Sequence, residues 1–462
     1  MTRLALFALL ACLAFAQQPD WPAVEEEALR HFQALLRFDT SDPPGNEAPA
    51  VDYLKQVLER EGIPVKIFAL EKHRPNLVAR LKGSGKKRPL LIMGHTDVVN
   101  VDPAKWRFPP FSATRDGGYV YARGTVDDKD NLTACLMIML LLKRLNVPLD
   151  RDVIFLAEAG EEGTVRVGIK FMVENYFSEI DAEYCLAEGG GVTRRGGKVS
   201  HASVGTTEKI PYAVRLVARG PAGHGSVPLR TNAVVHLSQA VAKVAAWQTP
   251  MRLNDTTRAY FERLATLSSP EDAARYNSIV DPAKAPAIQE YFAEHEPRHH
   301  SMLRTSISPN IIRAGYRVNV IPSEAEATLD IRAFPTENMD ELLAEMKKVI
   351  NDPAVEIVRT QRDTRPAAAP SAIKNEAFLT IEQMVRKHYG VITLPTMQTG
   401  ATDMAYLRAK GIQSYGIGPA TDAEDGPKGF GAHSDQERIL EAEFQRFVRY
   451  HYDIVAAIAR AQ

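Results

Sequence analysis

Val153-Ile154-Phe155-Leu156-Ala157-Glu158-Ala159-Gly160-Glu161-Glu162-Gly163 decides how this chain is read. Its first half is a short unbroken apolar run rich in β-branched and aromatic residues, which fits a strand buried on both faces. The run then breaks into glycines and acids, the composition of a loop. Two other runs follow the same plan. Leu90-Leu91-Ile92-Met93 leads into Gly94-His95-Thr96-Asp97, and Tyr184-Cys185-Leu186-Ala187 leads into Glu188-Gly189-Gly190. Near the C-terminus Tyr415-Gly416-Ile417 leads into a Gly-rich loop that reaches His433. Apolar helical segments, Leu132 to Leu142 and residues 167–177, separate the runs. Strand and helix alternating in this way predict an α/β fold, a mostly parallel sheet with helices on both faces. Ligands of such sheets gather outside the carboxyl ends of the strands. The acids and histidines that end these runs are therefore expected to converge on one face.

Further out, residues 23–38 and 48–62 carry helical spacing, joined by the turn Asp42-Pro43-Pro44-Gly45-Asn46. The pattern changes near residue 206. Residues 210–219 alternate like a half-exposed strand, Asn232 to Ala246 reads as a helix, and residues 311–333 hold two strand-like runs around Pro322-Ser323-Glu324. Met339 to Ile350 is a second helix and Val355 to Thr360 a further strand. That order, β-α-β-β-α-β, predicts a ferredoxin-like α+β layer. A polar, partly helical insertion occupies residues 250–305 within it. Strand–helix alternation resumes after Pro366-Ala367-Ala368-Ala369-Pro370. The expected organisation is a leader at 1–16, a larger domain built from 17–205 and 363–462, and a smaller domain, 206–362, inserted within it.

Charge excludes some functions. The 56 Lys+Arg nearly balance 57 Asp+Glu, leaving a formal net charge of -1. No electrostatic footprint for nucleic acid or an anionic membrane is present. Of the three cysteines, Cys12 lies in the leader, while Cys135 and Cys185 sit in apolar runs and read as buried thiols. Arg3, the apolar run Leu4 to Ala16 and its Ala14-Phe15-Ala16 end have the parts of a signal peptide cut before Gln17. The run falls short of the roughly 20 residues a spanning helix needs. Secretion or periplasmic delivery is expected, with no transmembrane segment after the leader is removed. Lipoprotein processing at Cys12 is the alternative, for which Leu10 is a poor fit.

Imidazole and carboxylate side chains suit zinc and related divalent ions. Carboxylates packed without such ions repel, and several must take up protons. A pair of cations removes that problem, and one bridging carboxylate can hold two of them about 3.5–4 Å apart. His95 and Asp97 lie on the same side of an extended segment, so Asp97 is expected to accept the second ring N–H of His95. Glu161 and Glu162 are adjacent, and a loop lets one serve as a ligand and the other as a base.

Gly94-His95-Thr96-Asp97-Val98-Val99, Gly124-Thr125-Val126-Asp127-Asp128-Lys129, Ala159-Gly160-Glu161-Glu162-Gly163 and Gly431-Ala432-His433-Ser434 resemble, in order, the site motifs of the M20 metallopeptidase family. That family includes glutamate carboxypeptidase, carnosine-type dipeptidases, aminoacylase, acetylornithine deacetylase and succinyl-diaminopimelate desuccinylase. The resemblance implies a zinc-peptidase-like catalytic domain carrying a lid and dimerisation domain. It also implies two divalent ions, zinc first with cobalt or manganese as alternatives. His95 and Glu188 would bind one ion, Glu162 and His433 the other, and Asp127 would bridge, followed by a cis peptide. Glu161 would be the general base, with Asp97 behind His95. Glu188 stands where several members have aspartate.

On the lid, Gly223-His224-Gly225-Ser226 resembles the loop whose histidine stabilises the oxyanion, often from the partner subunit of a homodimer. Asn319 and Arg332 flank the Pro322 hairpin as in members that grip a substrate carboxylate. Gly400 resembles a loop residue whose backbone meets the same group. The implied activity is hydrolysis of an amide or peptide bond in a small peptide or N-acyl amino acid, with carboxypeptidase, dipeptidase and acylase all open. A two-metal aminopeptidase and a non-catalytic binding member of the fold are the alternatives. Outside the motifs, Asp128 reads as a loop acid that fixes backbone. His299-His300 reads as a solvated pair, and residues 106–111 as a packed aromatic loop.

Overall fold

A computed structural model describes residues 18–360 and 365–461; the expected leader at 1–16, with Cys12, lies outside them. Apolar side chains alternate along the predicted strands and are buried on both sides. Leu90, Ile92, Val153, Phe155 and Leu186 face one layer. Leu91, Met93, Ile154, Leu156, Cys185 and Ala187 face the other. Helices Trp21–Leu36, Lys129–Arg144, Glu376–Tyr389 and Glu441–Ala459 cover the first face. Ile169–Asn175 and Met404–Ala409 cover the second. A side-chain period of two on a sheet sandwiched by helices requires this all-apolar pattern. Cys135 and Cys185 are free thiols and buried. Among the described residues no helix is long and apolar enough to cross a membrane.

The central sheet has ten strands. Its order is Val65–Glu71, Arg74–Leu81, Val153–Glu158, Leu90–His95, Tyr184–Ala187, Gln413–Gly416, Lys198–Glu208, Gly191–Arg195 and Ala420–Asp422, with Thr393–Gln398 paired to Lys198–Glu208. The middle four run parallel, so His95, Glu158 and Glu188 emerge at one edge. Antiparallel strands join at the margins.

A second, four-stranded antiparallel sheet runs Ser306–Ala314, Glu324–Ala333, Ile210–Arg219, Val355–Arg359. Helices Ala233–Ala246 and Met339–Ile350 pack on it around Leu216, Leu237, Leu329 and Met346. Chain order and strand order together are ferredoxin-like. Four helices, Asp255–Ala265, Pro270–Asn277, Ala285–His295 and Pro297–Met302, fill the insertion. They build their own cluster around Phe261, Tyr276 and Phe292, which reaches Met397 on the central sheet and Phe334 beside the smaller one. His299 departs from the expected solvated reading. Its ring packs against Phe261, Tyr276 and Phe292, with Tyr260 Oη 3.0 Å from Nε2 and Glu296 at Nδ1. The insertion is polar in composition, but its aromatic residues are spaced to meet once the helices fold.

The N-terminal turn is fixed by a buried ion triad. Arg74 donates to Glu47 Oε1 at 2.6 Å and lies 2.9 Å from Asp42 Oδ2, and all three side chains are buried. Asp42 Oδ1 also accepts from Thr164 Oγ1 at 3.1 Å, which ties the triad to the loop after Val153–Glu158. Removing the cation would leave two buried carboxylates without a counter-charge. Arg74→Met is expected to cost about 3–5 kcal/mol of unfolding free energy, read from the denaturant midpoint. A loss below about 1 kcal/mol would contradict the triad's role.

Candidate metal centre

The strand Leu90–His95 delivers His95 as its last residue, buried. His95 Nε2 lies 3.1 Å from Asp127 Oδ1. Asp127 Oδ2 lies 3.0 Å from His433 Nε2, and the same nitrogen is 3.0 Å from Glu162 Oε1. Donor atoms of His95, Asp127 and Glu188 lie within 4.8 Å of one another, as do those of Asp127, Glu162 and His433. Ligand bonds of about 2.0–2.2 Å put donors on one zinc-sized ion roughly 3–4 Å apart, so each trio is close to a coordination sphere. The five candidate ligands therefore come together as two trios that share Asp127. The peptide between Asp127 and Asp128 is cis.

Neighbouring carboxylates hold the ligand-bearing loops. Asp97 accepts the backbone N–H of Glu161 at 3.2 Å and of Glu162 at 3.0 Å. This corrects the expected use of its carboxylate. His95 Nδ1 instead sits 3.0 Å from the Asp97 main-chain oxygen, with the carboxylate at 3.6 Å. Either acceptor fixes the ring with Nε2 toward Asp127. Asp128 accepts the His95 N–H at 3.2 Å, the backbone-fixing role expected of it. The Glu161-Glu162 loop needs Gly160 at φ +76 and Gly168, where a Cβ would stand 1.9 Å from the Ala159 oxygen.

Burial sets the electrostatics. It pushes Glu188 well above the usual carboxylate range, with Glu161 adding to the rise, and pushes Glu158 up with Asp403 adding. Burial likewise raises Asp403 to about 6 and Asp128 to about 7. Asp127 goes the other way, because hydrogen bonds from His433 and His95 outweigh its burial. Its hydrogen bond to Asp127, then that to Glu162, raises His433 to about 10. Divalent cations would suit such a donor set: they would keep the acids ionised and release the imidazole protons.

Glu161 is buried, outside both trios, and paired with Arg365. The expected substrate residues lie elsewhere. His224 is exposed on a short ribbon, Gly223–His224 against Val320–Ile321. Ser226 N–H donates to its Nδ1 at 3.1 Å. Asn319 is exposed at the same ribbon, its carbonyl accepting from Gly225 N–H. Arg332 donates to Asp330 at 2.9 Å. Gly400 is exposed, with open space where a Cβ would stand. No described hydrogen bond links these four to the trios.

Two residues escaped the sequence reading. Glu437 is fully buried, accepting Arg123 Nη1 at 2.7 Å and the N–H groups of Gly124 at 3.1 Å and Val126 at 2.9 Å. It thereby joins the His433 loop to the loop that bears Asp127. Arg365 is the other. The only local sign of Glu437 is its nearness to His433, and Arg365 has none beyond the proline after it.

Residues 91–457 match Peptidase family M20/M25/M40. The chain is 27% identical over 389 residues to a probable carboxypeptidase S-like 2 of Dictyostelium discoideum, covering 82% of this chain and 74% of that one. It is 27% identical over 381 residues to the N-fatty-acyl-amino acid synthase/hydrolase PM20D1 of Homo sapiens, covering 80% and 74%. The solved M20 family metallo-carboxypeptidase Sso-CP2 from Sulfolobus solfataricus shares the fold at TM-score 0.68, 21% identity, and coverage of 93% and 98%.

Raised carboxylates hold protons more tightly in the folded chain than in the unfolded one. Without cations their contribution to stability is present below the ordinary carboxylate range and is lost as pH rises through about 6 for Asp403 and about 7 for Asp128. A divalent cation would displace the protons held by its own candidate ligands, Glu188 and His433, and disfavour those on neighbouring Asp403 and Asp128. The Tm gap between metal-loaded and chelator-stripped protein should therefore widen from about pH 5 to about pH 8. A gap independent of pH would contradict the ligand set.

Proposed function

The chain belongs to peptidase family M20/M25/M40, and from that premise we propose that it hydrolyses an amide or peptide bond in small substrates bearing a free carboxylate. It is a metallohydrolase of C–N bonds. The proposed substrates are dipeptides, peptide C-termini and N-acyl amino acids. The observation that carries this reading is the pair of donor trios sharing Asp127, with Glu161 buried beside them and uncommitted to either. Relatives named as a carboxypeptidase and as an N-fatty-acyl-amino acid synthase/hydrolase support the substrate class.

Two divalent cations held by His95 and Glu188, by Glu162 and His433, and by Asp127 between them would lower the pKa of water and polarise the scissile carbonyl. Zinc is the proposed ion, with cobalt or manganese as substitutes. Glu161 accepts a proton from the attacking water and returns it to the leaving nitrogen, so the C–N bond breaks to a neutral amine. Asp97 holds the base in place through the Glu161 N–H. His224 supplies an N–H to the developing oxyanion. Ser226 N–H donates to its Nδ1, so the neutral ring carries its proton on Nε2, at an exposed position. Arg332, Asn319 and the Gly400 backbone receive the substrate carboxylate.

The proposed partner of the lid is a second copy of this chain. Among the described residues strand Ser306–Ala314 is an unpaired sheet edge, and it and the following turn expose Ile312 at 60%, Tyr316 at 83% and Val318 at 101%. An apolar edge of that kind calls for a strand or surface to cover it. Export through the Arg3 and Leu4–Ala16 leader completes the proposal. Mature protein would then begin at Gln17.

Glu161→Gln is expected to lower kcat about 10²- to 10⁴-fold on dipeptides or N-acyl amino acids, with metal content and KM little changed. Activity that survives the substitution, or wild-type protein idle on the whole panel with zinc, cobalt and manganese, would defeat the reading. Ile312→Asp should shift the sedimenting species from dimer toward monomer. An unchanged dimer would remove that strand edge from the interface.

A further inference from the structure

The proposed base has a backbone fixed by Asp97, yet a glutamate side chain keeps three rotatable bonds. Its carboxylate is held by one cation, Arg365. Nη2 of Arg365 donates to the Glu161 carboxylate, to the Glu161 main-chain oxygen at 3.1 Å and to Asp403 Oδ1 at 3.2 Å. The guanidinium thus spans two acids from different loops. Asp403 lies between the strand Thr393–Gln398 and the helix Met404–Ala409, and is itself buried. Arg365 sits on the connection that returns from the smaller sheet, after Val355–Arg359, to the central one. Its Nε is buried without a partner among the described residues. An orphaned buried donor costs stability, so fold stability alone is a poor reason for an arginine here.

We propose that Arg365 is the positioning residue of this site: its guanidinium fixes the Glu161 carboxylate toward the metal trios by anchoring it to Asp403. The inference rests on Glu161 being the base. Arg365 touches neither trio by any described hydrogen bond or ion pair, so its effect falls on proton transfer rather than on metal affinity. Lysine does not reproduce the contact, because its ammonium ends one bond short of Nη2, the nitrogen that meets both acids. A misplacement of the base by about an ångström is enough to cost about 10²-fold in rate.

The test uses the full chain loaded with zinc, and compares Arg365→Ala, Arg365→Lys and Glu161→Gln. Arg365→Ala is expected to lose about 10²-fold in kcat while keeping KM and zinc content near wild type; Tm falls as well, since a buried cation is lost from two acids. Guanidinium at low, non-denaturing concentration should restore part of its kcat and do nothing for Glu161→Gln. A merely structural arginine would lower Tm without a kcat loss in the folded protein and would not be rescued. Wild-type kcat in Arg365→Ala, or a loss that tracks zinc content or KM, overturns the proposal. Should the alanine variant not fold, Arg365→Lys decides: reduced kcat at wild-type KM supports the proposal, and full kcat refutes it. An active Glu161→Gln would instead defeat the functional reading, whereas an inactive Glu161→Gln beside a fully active Arg365→Ala would defeat only this inference.

Discussion

Asp127 turns one carboxylate oxygen to His95 and the other to His433, and the surrounding loops are built to keep it there. His95 comes from a strand end and His433 from a distant loop at a left-handed φ of +61. Nothing local brings them together. What does is the parallel order of the central strands, which gathers their carboxyl ends. The Asp127 loop then crosses over that edge.

The second layer is unusual in being made largely of acids. Asp97 takes the N–H groups of Glu161 and Glu162, Asp128 that of His95, and Glu437 those of Gly124 and Val126. The segments that bear His95, Asp127 and Glu162 are thus each tied by a carboxylate from another loop. Of these acids Asp97 is held below the usual carboxylate range despite its burial, by His95 and the Glu162 N–H. Burial pushes Asp128 and Glu437 up. Burial, with neighbouring acids adding to it, also pushes Glu158 and Glu188 upward. Divalent cations at the trios would favour the ionised forms.

How much of this was legible in the sequence follows from how local each signal is. The apolar runs were legible because burial on both faces leaves no polar position in them. The change to alternation near residue 206 marked the second sheet for the same reason. The candidate ligands were legible because each sits at a run's end or in a motif of fixed spacing. Arg365 and Glu437 were not, since an arginine or glutamate before or after a turn looks like any solvated charge until the partner loops are placed. His299 misled in the same way: its aromatic neighbours Phe261, Tyr276 and Phe292 lie too far along the chain to register as one cluster. The Asp97 reading failed on a finer point. Spacing put it beside His95, but only the fold reveals two free N–H groups that compete for its carboxylate.

The two halves of the proposed chemistry are held with very different stiffness. The trios are cross-braced, with His433 alone among their members exposed, whereas His224 and Asn319 are both exposed on a ribbon with no described hydrogen bond to them. On the proposed reading the substrate must join these halves, so part of its carboxylate binding is spent on bringing the smaller sheet to the metals. The helical insertion limits that movement. Arg263 bonds both Glu382 and the Thr393 carbonyl, and Lys209, at the other junction of the sheets, donates to Ser301 and Ser306. On the proposed reading, a substrate lacking its carboxylate would lose rate as well as affinity.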